Sequence, residues 1–159
     1  MNFLFELSRN ELLFWSLVAC ISAQILKVLF CIVLEGKFRL GVIFETGGMP
    51  SSHSALITGV TSGIGWSMGF DNPIFAFAVA VSLIVMYDAS GVRRSAGLQA
   101  KEFNKLASKL DEKYQTNLKE NLGHTKLEVI VGSIIGPMIT LPGIELLGSP
   151  TNLIRHFFS

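Results

Sequence analysis

Charge is what this chain has least of. Only 16% of its 159 residues are Asp, Glu, Lys or Arg, against 50% hydrophobic residues, and the mean hydropathy is +0.50. The few charges are also segregated. None occurs from Thr46 to Phe70, from Asn72 to Tyr87 or from Val129 to Ile144, and between Leu12 and Leu34 Lys27 stands alone. Each run approaches the roughly 20 apolar residues that a bilayer-spanning helix needs. A water-soluble globule is thereby excluded. A basic block of the kind that follows a phosphate backbone is also missing, and the net charge is +1, so nucleic acid is not expected as a partner. Cysteine is scarce too. Cys20 and Cys31 lie eleven residues apart in one candidate helix, too far along the axis at about 1.5 Å per residue to bridge each other. They are expected to face lipid or pack. The N-terminus has no basic leader, since Arg9 sits between Glu6 and Glu11, so the first apolar stretch reads as a retained anchor.

What is present reads as an all-α, integral-membrane helical bundle forming a single domain over 1–159. About four transmembrane helices are expected, near 12–34, 51–70, 73–88 and 126–147, with one amphipathic helix near 95–114. In that amphipathic segment Ala96, Ala100, Phe103, Ala107, Leu110 and Tyr114 recur at three-and-four spacing, and Lys101, Lys105 and Lys109 line another face. It suits either an anionic membrane surface or a lid over a site. Gly59, Gly63, Gly65 and Gly69, and later Gly132 and Gly136, offer the small-residue spacings that let membrane helices approach closely. With four spans, 35–50 and 92–126 emerge on one side. The second of these holds eight of the thirteen Lys and Arg residues, which places that side in the cytoplasm or its topological equivalent. A small channel or transporter is disfavoured, because no inverted repeat is visible.

The polar exceptions gather on that side. Gly47-Gly48-Met49-Pro50-Ser51-Ser52-His53-Ser54 interrupts the apolar sequence, with Pro50 suited to a first helical turn and serine hydroxyls placed for an anion at a helix N-terminus. A capped helix with a buried histidine is the plainer reading. Arg93 and Arg94 follow the third span, where they serve as a positive-inside anchor or as forks for phosphate oxygens. Asp88 is placed to pair with one of them, to ligate a metal or to cap its helix, with pairing favoured. Lys27 lies two turns inside a span, where it either snorkels or serves a polar cavity. His124 and Glu128 are four apart and so share a helical face, which lets the carboxylate hold the imidazole in one tautomer.

Pro50-Ser51-Ser52-His53 resembles the second signature, usually Pro-Ser-Gly-His, of the type 2 phosphatidic acid phosphatase and vanadium haloperoxidase superfamily. His124 to Gly132 resembles the third, in which His and Asp stand four apart and a glycine follows. These runs in this order, with Tyr87 to Arg94 between them, resemble most closely the divergent branch of that superfamily, small membrane proteins of bacterial plasma membranes and plastids. The resemblance implies a metal-independent phosphatase, without cofactor, acting on a lipid phosphate or diphosphate of phosphatidate or polyprenyl type. By the same resemblance His124 is the nucleophile that forms a phosphohistidine, Glu128 orients it, and His53 is the general acid. Ser51, Ser52, Arg93, Arg94 and Lys27 would hold phosphate oxygens. The chain departs from the pattern at Ser52, where glycine is usual, and at Glu128, where Asp is. It also departs in the arginine, which lies about thirty residues before the nucleophile, and in the absent arginine-proline pair of the first signature. The alternative is a non-catalytic protein that binds or moves a phosphorylated lipid. Relatives with six helices leave room for a homo-oligomer to complete the packing of four spans.

Overall fold

The computed structural model describes residues 3–36, 41, 47–109 and 117–151, and among them the only regular structure is helical. The order is α1 (Phe3–Ser8), α2 (Glu11–Glu35), α3 (Ser52–Met68), α4 (Pro73–Ser90), α5 (Val92–Ala107) and α6 (Lys126–Pro142), the last continued by a π-helical turn, Gly143–Leu147. Local chemistry sets most ends. Asn10 caps α2 by accepting from the Leu13 amide at 3.0 Å, and Gly36, at φ 64°, stops it in a left-handed conformation closed to most side chains. Asn72 caps α4 through the Ile74 amide at 2.9 Å, with Pro73 at the first helical position.

Three stretches are long and apolar enough to cross a membrane: Glu11–Val33, Pro73–Ala107 and Lys126–Leu147. The second contains both α4 and α5. They are separated at Gly91, whose amide still closes on the Tyr87 carbonyl at 2.8 Å while its backbone leaves the helical region at φ −107°, ψ −84°. Helix α3 has 17 residues, about 25 Å of rise, which is short of the roughly 30 Å hydrocarbon thickness. It packs against α2, α4 and α6. That position demands small residues, because backbones must come close without a hydrophobic drive between helices. A Cβ on Gly132 would overlap the Ser51 carbonyl oxygen, and one on Gly136 would meet the Ala55 carbonyl and the Thr58 hydroxyl. Gly59 faces Thr140 and Ser16 in the same way.

Several boundaries differ from the expectation. Pro50 precedes α3, and Ser51 is its cap, because the Ser51 side chain accepts from the Ser54 amide at 3.3 Å. The amphipathic helix starts at Val92, directly after the Gly91 break, and ends at Ala107; residues 110–114 of the expected range lie outside the described residues. Only part of its apolar stripe is packed. Gly97, Ala100 and Ala107 are buried, whereas Ala96 and Phe103 point outward. The reason is close approach: a Cβ at Gly97 would stand 2.7 Å from the Glu120 carbonyl and 2.8 Å from that of Leu122. Asn104 completes this contact by donating to the Leu118 carbonyl at 2.8 Å and accepting from the Leu118 amide at 3.0 Å. Helix α5 therefore clamps the segment that leads into α6. Cys20 is half-buried and Cys31 buried, as packed thiols.

One end of the bundle collects the polar segments. The Ser51 amide donates to the Glu128 carbonyl at 3.1 Å, the His124 amide to the Ala89 carbonyl at 2.9 Å, and Gly48 rests on the aliphatic stem of Lys27. The C-terminal half of α2, the starts of α3 and α6 and the end of α4 thus meet there. At the other end, the Trp15 indole donates to the Gly148 carbonyl at 2.8 Å and Trp66 to Glu145 at 3.1 Å.

Candidate functional site

Thr125 begins α6 by accepting from the Glu128 amide at 3.2 Å, and Glu128 reaches back to accept from the Thr125 amide at 3.2 Å. This reciprocal cap places the Glu128 carboxylate over the first turn. The same oxygen, Oε2, lies 3.0 Å from His124 Nδ1. Facing an ionised carboxylate, Nδ1 carries the proton, which leaves the Nε2 lone pair free. His124 is only 3% exposed, and its backbone is tied to α4 through Ala89. The ring is therefore fixed in position and tautomer before any ligand arrives.

Gly123, at φ 77°, explains how the arginines reach this histidine. A Cβ there would collide with the backbone of Arg93 and Arg94, so glycine alone lets the start of α5 lie against the residue preceding His124. The two arginines then diverge. Arg93 donates through Nε to Asp88 Oδ2 at 2.6 Å, and its charge acts on His53. Arg94 lines a cavity of about 400 Å³ together with Glu128, Glu120, Asn121 and Gly48.

His53 stands at the exposed polar end, in the first turn of α3 and outside the three candidate spans. Partial desolvation of its ring, and then the charges of Arg93, His124 and Lys27, hold it below the ordinary histidine value of 6.5. The cause is informative, because three cationic or potentially cationic groups converge on one imidazole. Lys27 is 2% exposed, so its ammonium is kept inside the bundle and does not snorkel. Ser51 is fully buried, and its oxygen accepts from the Ser54 amide and, at 2.9 Å, from the Ser54 hydroxyl. Ser52, also buried, lies within hydrogen-bonding reach of the Cys20 thiol.

The structure thus brings His124 and Glu128 into contact, leaves Arg93, His124 and Lys27 within electrostatic reach of His53, and puts Arg94 and Glu128 in the wall of one cavity. Ser51 and Ser52 form the wall at the start of α3. Thr125 was not anticipated, although Thr-x-x-Glu ahead of an apolar run is a capping-box signature. Nor was the Ala89 carbonyl, which no side-chain pattern marks.

Two comparisons bear on this arrangement. The Divergent PAP2 family matches residues 8–139, a range that includes every residue just named. An uncharacterized membrane protein of Bacillus subtilis (strain 168), YuiD, is 38% identical over 150 residues, covering 86% of this chain and 95% of that protein. No solved structure matches. From its match over most of its length, this membrane protein belongs to the Divergent PAP2 family.

Proposed function

We propose that the protein is a metal-independent phosphatase of a membrane lipid phosphate or diphosphate, working through a phosphohistidine. The observation that carries this reading is the buried His124 with Nδ1 bound to Glu128 at 3.0 Å, beside three other basic groups. In the first step His124 Nε2 attacks phosphorus, and the bond from phosphorus to the leaving oxygen breaks as His53 delivers its proton to that oxygen. Glu128 stabilises the charge that develops on the His124 ring. Arg93 and Lys27 offset the charge on the phosphoryl oxygens, with the backbone of Ser51 and Ser52 closing the near side. In the second step His53, now neutral, takes a proton from water. The hydroxide attacks phosphorus, the bond to Nε2 breaks, and inorganic phosphate leaves.

In this reading α3 beyond its first turn makes the fourth crossing, His53 stays at the polar surface, and the polar end faces the cytoplasm, in keeping with Lys101 and Lys105 exposed on α5 and Lys109 exposed just past its end. Four crossings are few for a stable bundle, which favours a homo-oligomer. Two observations favour the second reading, a binding protein without turnover: Asp88 occupies Arg93 Nε, and Arg94 lines a cavity that Glu128 shares but neither histidine does.

The test is phosphate release from phosphatidate, a polyprenyl monophosphate and a polyprenyl diphosphate in mild detergent with chelator, beside His124→Ala and His53→Ala. Release abolished by His124→Ala is the expected result. Retained lipid phosphate binding without release would establish the second reading.

A further inference from the structure

Outside the elbow between α4 and α5 lies an open groove of about 640 Å³, lined by Leu83, Ile84, Tyr87, Asp88 and Val92. We propose that this groove receives one hydrocarbon chain of the phosphorylated lipid, which thereby enters the site sideways from the bilayer. The inference rests on the phosphate site proposed above and adds where its substrate is recognised.

Elementary geometry makes the groove. Leu83, Ile84 and Tyr87 are 59%, 69% and 75% exposed on α4, and Val92, just past the break at Gly91, lines the groove with them. From Leu83 to Gly91 the helix rises about 12 Å, so the groove runs from the polar end well into the apolar region. Four of its five lining residues carry apolar or aromatic surface, and the exception is Asp88. That carboxylate repels a phosphate, so an anionic headgroup cannot settle inside the groove. Arg93 stands immediately beyond it. The Asp88 bond uses Nε, which leaves the two terminal nitrogens of the guanidinium to meet an anion. Arg93 in turn acts on His53. The charge order therefore sets the ligand's direction, with the headgroup at Arg93 and the chain running down α4 toward Leu83.

Ordinary bilayer lipid covers every outward apolar face, so exposure alone selects nothing. Phe77, on the same helix, is 70% exposed, and Met138 on α6 is 68% exposed, yet neither lines this groove. What separates the elbow from those faces is its concavity together with its direct continuation into Asp88 and Arg93. A chain held there is paid for by burial at about 25 cal/mol per Å² of apolar surface, whereas the headgroup supplies direction.

The test uses the full chain in nanodiscs with a long-chain alkyl monophosphate carrying a diazirine in its tail, followed by peptide mapping after illumination. Label concentrated between Leu83 and Val92 is expected, displaced by excess unlabelled alkyl phosphate and not by the alcohol of the same chain. Ile84→Trp should lower that label roughly tenfold, while Phe77→Trp leaves it unchanged. In hydrolysis, Ile84→Trp should raise KM for the long-chain phosphate by roughly tenfold and leave a water-soluble aryl phosphate unaffected. Label spread over all outward faces in proportion to exposure, or indifferent to the phosphate, would overturn the proposal. Failure of the intact protein to hydrolyse even the aryl phosphate would count against the phosphatase reading alone, since the labelling decides the groove independently.

Discussion

Replacing Gly132 with alanine adds one methyl group where α6 lies against the cap of α3. Its carbon would overlap the Ser51 carbonyl oxygen and stand 3.1 Å from both the Ser51 carbonyl carbon and Ser54 Cβ. The nearest obstacle is backbone, so no side-chain rotation relieves it, and the helices must separate by about 1 Å to restore contact distance. Alanine gains up to about 1 kcal/mol of helix propensity over glycine, and overpacking costs about 1–3 kcal/mol, so the net destabilisation is about 0–2 kcal/mol. The functional cost is larger. The Ser51 amide is bonded to the Glu128 carbonyl, so a shift there moves His53, in the first turn of α3, relative to His124, which stands just before the cap of α6. A displacement of that size costs about 10²-fold in turnover. Denaturant unfolding in detergent and phosphate release check the two parts, with Ile134→Ala, on an outward face of α6, as the control. A Gly132→Ala protein with unchanged stability and turnover would refute the close α3–α6 contact and the reasoning built on it.

Glu128→Gln keeps an amide that can complete the cap but removes the carboxylate from Nδ1, so release should fall about 10²–10⁴-fold with the fold intact by circular dichroism. Lys27→Met preserves the buried stem against Gly48 and removes the charge; phosphate affinity should drop about 10–100-fold in a competition assay, and His53 should titrate higher, by NMR. His53 binds its proton less readily in the folded chain than in the unfolded one. Its contribution to stability is therefore complete above pH 6.5 and declines as pH falls below that value, and His53→Gln should flatten this part of the stability curve. For the same reason kcat/KM should fall as pH rises through a value below 6.5, since the general acid must be protonated.

Much of the fold was legible because its signals are local. Charge-free runs mark the apolar helices, Asn72-Pro73 marks a helix start, and the four-residue spacing of His124 and Glu128 places them on one face whatever surrounds them. The Thr125 cap was equally local. The rest depends on contacts between distant segments. Lys27 is buried, and part of what lies near its stem is Gly48, twenty-one positions later. That Arg93 and Arg94 serve different surfaces follows from the seating of α5 on Gly123, and no periodicity in α5 announces it. The packing of α5 depends on a similar contact between distant segments: Gly97 lies closer to the backbone of Glu120 and Leu122 than a side chain allows, so Ala100 and Ala107 of the apolar stripe are buried while Ala96 and Phe103 are not. The short α3 is likewise explained by its neighbours: enclosed by three helices, it needs small residues more than apolar length.

The central claim is that His124 carries the phosphoryl group, and mass spectrometry of the protein quenched with alkali during turnover of a lipid phosphate tests it most directly. The expected result is an acid-labile, alkali-stable phosphate on the peptide containing His124, present during turnover and absent in His124→Ala. Phosphate released at the wild-type rate by His124→Ala, or phosphate trapped on a different residue, would contradict the account.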